Sequence, residues 1–433
     1  MMSMKKKQED LNVKGTVTYM PEKERVRRRI RRTLEDVFIR YGCEPLETPI
    51  LNQASLMTDK YGGGAEIVKE MYRLTDQGER DLALRYDLTM PFARVCVMNP
   101  TLRKPFKRYE IGKVFRDGPI KAGRYREFTQ CDVDVLGVSS QLAEAELMIM
   151  ALDAFERLGM AVTIQYNNRK FLTGLLDVFG VPESLIPSAV LTLDKLEKKG
   201  AAAVLDELLV KGVTEDVTER IGAFLTAGDA ADIERIRVYG NGSQQVEEGA
   251  AELQELTSFL GATGTLDQCV FNPFLARGLE IYTGTVYEVF SAEPGALSSS
   301  IASGGRYDQA VGGLSGSDEG YPSVGISFGL DVITTVLESR IDEEIQEEKV
   351  DCLIIPVGEP QAALVLAQAL RAQGTSVELD MSGKKPGKAL ERANREGVRD
   401  VILIGSDEVE TGIYTVKRMK TGEEEAVSFS FGR

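Results

Sequence analysis

The chain has 433 residues, a net charge of −15, ordinary apolar content, and neither histidine nor tryptophan. That length predicts about two to four domains, and the acidic balance disfavours a general nucleic-acid binder without excluding local basic patches. The missing histidines exclude a Ser-His-Asp triad, a Cys-His pair and any His-ligated metal, leaving chemistry to carboxylates, arginines, lysines, tyrosines and bound ions.

In chain order, the start Met1-Met2-Ser3-Met4-Lys5-Lys6-Lys7 has no apolar stretch behind its lysines. It reads as a short mobile tail, not a signal peptide. No apolar run anywhere approaches the length of a membrane span. Cys43, Cys96, Cys131, Cys269 and Cys352 are scattered without paired spacing, which fits a reducing cytosol and argues against a zinc cluster. Residues 22–41 predict a helix, with Val26, Ile30, Leu34, Val37, Phe38 and Tyr41 on one face. Its arginines, Arg25 to Arg32, read as a solvated face, and Gly42 ends it. Residues 44–51 read as extended. Two short alternating runs, 71–74 and 82–89, flank a turn at Gln77-Gly78-Glu79. A helix starts near Thr89, with Pro91 early in it. Asp87 and Thr89 at that junction suit either an ammonium group or a helix cap.

Residues 107–137 predict a long-looped hairpin with Arg116 at its root and Arg124 after its loop. Alternation places Phe128, Gln130, Asp132 and Asp134 on one face. A carboxylate beside an amide there suits a polar, cation-capable ligand, or else an ordinary polar sheet face. A helix over 142–158 and a strand over 162–166 lead into an alanine- and leucine-rich helical stretch reaching about 262, with no chemical motif. Arg277-Gly278 then precedes an alternating strand over 280–290, so Arg277 is free to point elsewhere than Tyr282. Gly304-Gly305 before Arg306-Tyr307-Asp308 permits close approach to the backbone. A flexible Gly/Ser loop over 312–320 and a strand passing into a helix over 321–332 follow. An acidic linker around 342–349 separates a β-α-β-α-β pattern and one more strand, which predicts a mostly parallel sheet covered by helices. Lys384, Lys385 and Lys388 there face RNA phosphates or simply solvent.

Four of these segments carry a resemblance. They are Arg85-Tyr86-Asp87-Leu88-Thr89-Met90-Pro91-Phe92-Ala93-Arg94, Phe115-Arg116 with Gly123-Arg124-Tyr125-Arg126-Glu127-Phe128-Thr129-Gln130-Cys131-Asp132, Arg277 to Tyr282, and Gly304 to Asp308. Together they resemble the histidyl-tRNA synthetases, a class II aminoacyl-tRNA synthetase family, and the resemblance spans nearly the whole chain. It implies an α+β catalytic domain, with an antiparallel sheet flanked by helices, in two parts, 1–166 and 263–340. A helical insertion over 167–262, a linker over 341–348 and an α/β anticodon-binding domain over 349–433 complete it.

The implied reaction joins histidine to ATP as histidyl-adenylate and passes the histidyl group to tRNA(His). Arg277 and Arg116 would be the catalytic cations, and Mg²⁺ would bridge phosphate oxygens. L-Histidine would be held by Asp87, Leu88, Thr89, Arg116, Gln130, Asp134, Arg277, Ile281, Tyr282 and Tyr307. ATP would meet Arg116, Arg124, Glu127, Phe128 and Arg277. A cytoplasmic homodimer is implied. Two positions depart from the family. Val332 stands where the third class II motif has an arginine for the ATP γ-phosphate, and Ile281 where a second tyrosine is more frequent. Two other readings stay open: a histidine-binding regulatory subunit of ATP phosphoribosyltransferase, and a class II synthetase for threonine, proline or glycine.

A synthetase of this kind without histidine codons suggests a second copy expressed when charged tRNA(His) is scarce; compositional drift is the alternative. Under histidine limitation, pulse labelling should show synthesis of this chain outlasting that of histidine-containing proteins. A stop as prompt as theirs refutes the idea.

Overall fold

In one central strand, small and bulky residues alternate, and that alternation separates a core from a cleft. Ser323, Gly325, Ser327 and Gly329 fall on one face, and Val324, Ile326 and Phe328 on the other. The computed structural model describes residues 12–58, 68–226, 232–276, 281–293, 299–315, 320–338 and 350–431. It divides into one unit ending at Glu338 and a second starting at Ser339.

The strands of the first unit are β1 (Glu44–Pro45), β2 (Leu51–Gln53), β3 (Arg73–Thr75), β4 (Asp81–Leu84), β5 (Phe106–Phe115), β6 (Glu127–Leu136), β7 (Val162–Asn168), β8 (Cys269–Phe271), β9 (Thr285–Ser291), β10 (Ala302–Arg306) and β11 (Ser323–Gly329). Eight form one sheet in the order β1-β5-β6-β11-β10-β9-β7-β8, and β2-β4-β3 form a small separate one. The large sheet is antiparallel except where β1 meets β5 and β7 meets β8. Its core face carries Tyr109, Val133, Val135, Ile326 and Phe328, all buried. The helices Pro21–Arg40 and Leu142–Arg157 cover it, and Phe38 and Phe155 bring their rings to 5.5 and 5.6 Å from that of Phe328.

Polar ties fix this layer. Arg27, expected on a solvated face, is buried and pairs with Asp331 at 2.5 Å. The helical period carries it beneath Tyr19, whose ring lies 3.8 Å from its guanidinium. Arg306 sits on the core side of β10 and reaches Glu144 through two bonds of 2.6 and 2.7 Å. It also donates to the carbonyls of Val138 and Ser140.

Between β7 and β8 runs a series of helices from Arg169–Phe179 to Gln244–Ala262. These two pack closely because Gly249 has no side chain: a Cβ there would lie 2.5 Å from the Phe171 nitrogen.

Several elements differ from expectation. The strand expected over 280–290 begins only at Thr285. Ile281 to Gly284 are irregular, since the Thr283 N–H bonds to the Arg306 carbonyl and the Gly284 carbonyl accepts from Arg169. Residues 312–315, expected as loop, belong to the helix Gln309–Ser315, while 316–319 lie outside the described residues, as do the N-terminal tail to residue 11 and the linker expected over 341–348.

The second unit has β12 (Cys352–Pro356), β13 (Val377–Leu379), β14 (Asp400–Ile404), β15 (Ile413–Arg418) and β16 (Glu424–Ser428), in the order β13-β12-β14-β15-β16. Its first three strands are parallel. The last two are antiparallel, so the sheet is mixed, not mostly parallel. After β14 only the short helix Ser406–Thr411 intervenes, too little chain for a parallel crossover. The expected lysines, Lys384, Lys385 and Lys388, are at the start of the helix Pro386–Glu396 and all exposed.

Glu144→Ala should lower the stability of the first unit by about 3 kcal/mol, because it removes the closer carboxylate partner of the buried Arg306 and leaves only the longer pairing with Asp308 at 3.3 Å. Glu144→Gln, which keeps one acceptor, should cost less. Urea unfolding followed by circular dichroism checks both.

Candidate active site

The small-residue face of the sheet floors a cleft of about 640 Å³. Register places its groups. Arg108, Glu110 and Gly112 on β5 lie opposite Asp134, Asp132 and Gln130 on β6. These in turn face Gly325, Ser327 and Gly329 on β11. Directly opposed residues share a face, so three polar side chains of β6 line up over glycine and serine. The glycine is required: a Cβ at Gly325 would come 2.1 Å from Asp134 Oδ1.

Charge at the floor centres on Arg108, which is fully buried. It pairs with Asp134 at 2.6 Å and with Glu110 at 3.2 Å, and donates to the Leu88 carbonyl at 3.0 Å. Glu110 also accepts from Arg85 at 2.8 Å and from the Thr48 N–H at 2.9 Å. Tyr307 donates its hydroxyl to Asp134 at 2.5 Å. Burial raises the Asp134 carboxyl, and Arg108 and Tyr307 oppose the rise. Burial also lifts Asp132, to about 8, with Arg108 opposing and the carboxylates of Asp134 and Asp87 adding to it.

Asp87 takes the cap position and also faces the cleft. It accepts the Met90 N–H at 2.9 Å, capping the helix Thr89–Met98, and it lines the cleft with Thr89. Arg116, just beyond β5, is held between two rings, 4.1 Å from the Tyr86 centroid and 5.1 Å from that of Phe128. It spends its Nε–H on the Tyr86 carbonyl at 3.2 Å, and its terminal nitrogens make no hydrogen bond among the described residues. Gly305 leaves room for Tyr282, since a Cβ there would lie 2.9 Å from Cδ1 of that ring. Leu275, Ile281, Tyr282, Val286, Tyr307 and Ala310 form one buried cluster at this end.

Of the residues expected from sequence, Asp87, Thr89, Arg116, Arg124, Phe128, Gln130, Asp134, Ile281, Tyr282 and Tyr307 all line this cleft. Leu88 is buried in the core beneath it and contributes its carbonyl to Arg108. Glu127 projects from β6 away from the cleft and pairs with Lys113 at 3.0 Å. Arg277 lies outside the described residues. Ala276, next to it, is tied by its N–H to Asp194 of the helical stretch at 3.3 Å. Val332 lines the cleft beneath Gly123, where a Cβ would come 3.3 Å from it. Sequence reasoning did not single out Arg85, Glu110 or Ser327, and it gave Arg108 no role at the site. The one available signal was the opposed register of β5 and β6, which a linear pattern does not supply.

A model of the histidyl-tRNA synthetase family matches residues 15–333, and one of an anticodon-binding domain matches residues 351–431. The chain belongs to the histidyl-tRNA synthetase family. Histidine–tRNA ligase 2 of Shouchella clausii is 55% identical over 98% of the chain and all of that relative. Histidine–tRNA ligase 1 of Bacillus anthracis is 50% identical, covering 97% of the chain and 98% of its own length. The crystal structure of histidyl-tRNA synthetase from Nostoc sp. PCC 7120 superposes with a TM-score of 0.81 at 29% identity, over 97% of each chain. A structure from Bacillus halodurans described as an ATP phosphoribosyltransferase regulatory subunit/histidyl-tRNA synthetase shares the fold, with a TM-score of 0.75 at 20% identity.

In this histidyl-tRNA synthetase family member, ionising Asp132 works against the folded state, because the fold raises its pKa. The stability lost to this group should therefore grow as pH rises from about 4 to about 8. Thermal melts of Asp132→Asn and wild type should diverge in favour of the variant across that window.

Proposed function

We propose that the cleft of the first unit activates histidine with ATP to histidyl-adenylate and transfers the histidyl group to tRNA(His). As a member of its family the chain is an aminoacyl-tRNA ligase that uses ATP, and relatives of 50–55% identity over the full length are named histidine–tRNA ligases. The regulatory-subunit reading is not favoured: the 351–431 match adds the anticodon-binding domain that the sequence reading expects such subunits to lack.

The observation that carries the residue roles is the convergence of Asp134, Tyr307 and Tyr282 at one end of the cleft, with Arg116 toward the other. A buried carboxylate and tyrosine hydroxyls can pair both nitrogens of an imidazole. Such a site rejects apolar isosteres, because they would leave its buried polar groups unpaired. Asp87, Thr89 and Gln130 would hold the amino group. Arg116, pre-positioned by its two rings, would neutralise the carboxylate and α-phosphate, with Arg277 as the second cation. Phe128 and Arg124 would meet the nucleotide, whereas Glu127 is turned to Lys113 on the other side of β6, and Arg124 follows the glycine that covers Val332.

Mg²⁺ binds nucleotides chiefly through phosphate oxygens and water. That fits a cleft in which no group of three or more Cys, Asp or Glu side chains among the described residues could hold a metal by itself. The ion would shield the charge of the phosphates. Among the described residues no helix is long and apolar enough to cross a membrane, which supports a cytoplasmic setting. A homodimer is supported by exposed Ile50, Leu51, Leu74 and Met98, on or near the small sheet.

ATP–pyrophosphate exchange with each amino acid tests the reading. Exchange should depend on histidine alone, and exchange with no amino acid or with another one would overturn it. Asp134→Ala should cut kcat/KM for histidine by about a hundredfold or more with little change in KM for ATP. Arg116→Ala should lower kcat by a similar factor of about a hundred to a thousand.

A further inference from the structure

One carboxylate of the cleft floor has no partner in that scheme. Asp132 lies midway along β6, directly opposite Glu110 on one neighbouring strand and Ser327 on the other. It is 3% exposed and lines the cleft. The Ser327 hydroxyl hydrogen-bonds its carboxylate, but Oδ1 is buried with no partner among the described residues. The cation nearest in register, Arg108, is already divided between Glu110 and Asp134. Two residues along the same face, Gln130 gives its amide N–H to Ser327 at 2.7 Å and leaves Oε1 likewise unpartnered. Asp87 adds its field from the helix start.

Two buried acceptors without donors, among carboxylates, define the ligand chemistry. They repel a phosphate or a carboxylate. They suit a compact cation rich in N–H groups, and a primary ammonium offers three donors. We infer that Asp132 is a further substrate-binding residue, accepting a hydrogen bond from the α-ammonium group of the bound amino acid beside Gln130. The inference rests on the amino-acid activation reading above. The raised pKa of Asp132 agrees with it: a carboxylate that burial disfavours as an anion is one that an incoming ammonium stabilises as an anion.

The test compares two ligands by calorimetry on the full-length protein: histidine, and imidazolepropionate, which lacks only the amino group. Asp132→Asn keeps the shape of the side chain and removes its charge. It should weaken histidine by about ten- to a hundredfold, while imidazolepropionate binds the variant and wild type alike. Unchanged imidazolepropionate binding also shows that the variant pocket is intact, and Asp132→Ser gives the same comparison with a smaller neutral residue. Equal weakening of both ligands overturns the inference, since it would mean that Asp132 serves the imidazole, the packing, or a cation from the undescribed stretch 277–280. No weakening of either overturns it as well. Wild type that neither binds histidine nor supports histidine-dependent exchange instead refutes the activation reading itself, and so separates that failure from this one.

Discussion

The buried guanidinium of Arg108 sets the character of the cleft. It is the shared cation of Asp134 and Glu110, and Glu110 in turn holds Arg85. A buried carboxylate without such a partner would take up a proton and lose its value as an acceptor. By holding Asp134 partly against that tendency, Arg108 lets it receive the Tyr307 hydroxyl and still face the ligand space. The wall beside it depends on this chain as well. Tyr307 is fixed by Asp134, Tyr282 packs in the same cluster, Gly305 leaves the volume that Tyr282 needs, and Gly325 leaves that of Asp134.

The two ends of the cleft are therefore built by different physics. At the end proposed for the imidazole, polar groups are buried in a fixed network, where an error of geometry leaves a group unpaired. Toward the end proposed for the nucleotide, Arg116 is positioned by ring contacts and one backbone bond, and Arg124 is exposed. On the proposed reading, Val332 in the place of an arginine leaves charge neutralisation to be shared among the other cations of the cleft. A hydrogen-bonding pocket cannot be shared in this way.

Much of this was legible in the chain. The alternation of Phe128, Gln130, Asp132 and Asp134 named the ligand-facing side of β6, and the cleft is lined by all four. The helices Pro21–Arg40 and Leu142–Arg157 followed from their apolar spacing. The misses share a cause. Arg27 looks like one arginine among many, and only the approach of Asp331 from 304 positions away makes it a buried partner. The delayed start of β9 comes from the bond between the Thr283 N–H and the Arg306 carbonyl, a contact between distant segments.

The amino-acid sequence by itself determined the family, the absence of histidine chemistry, the polar face of β6, and the residue types available for binding a polar substrate. These are local or periodic properties, written in spacing. Only the tertiary structure decided that Arg108 is the cation of the floor, that Asp87 is both a cap and a cleft residue, and that Asp132 keeps an unpartnered oxygen. Those outcomes depend on strand register and on burial. Both are set when segments far apart in the chain meet, and a charge gains its meaning from what surrounds it in space.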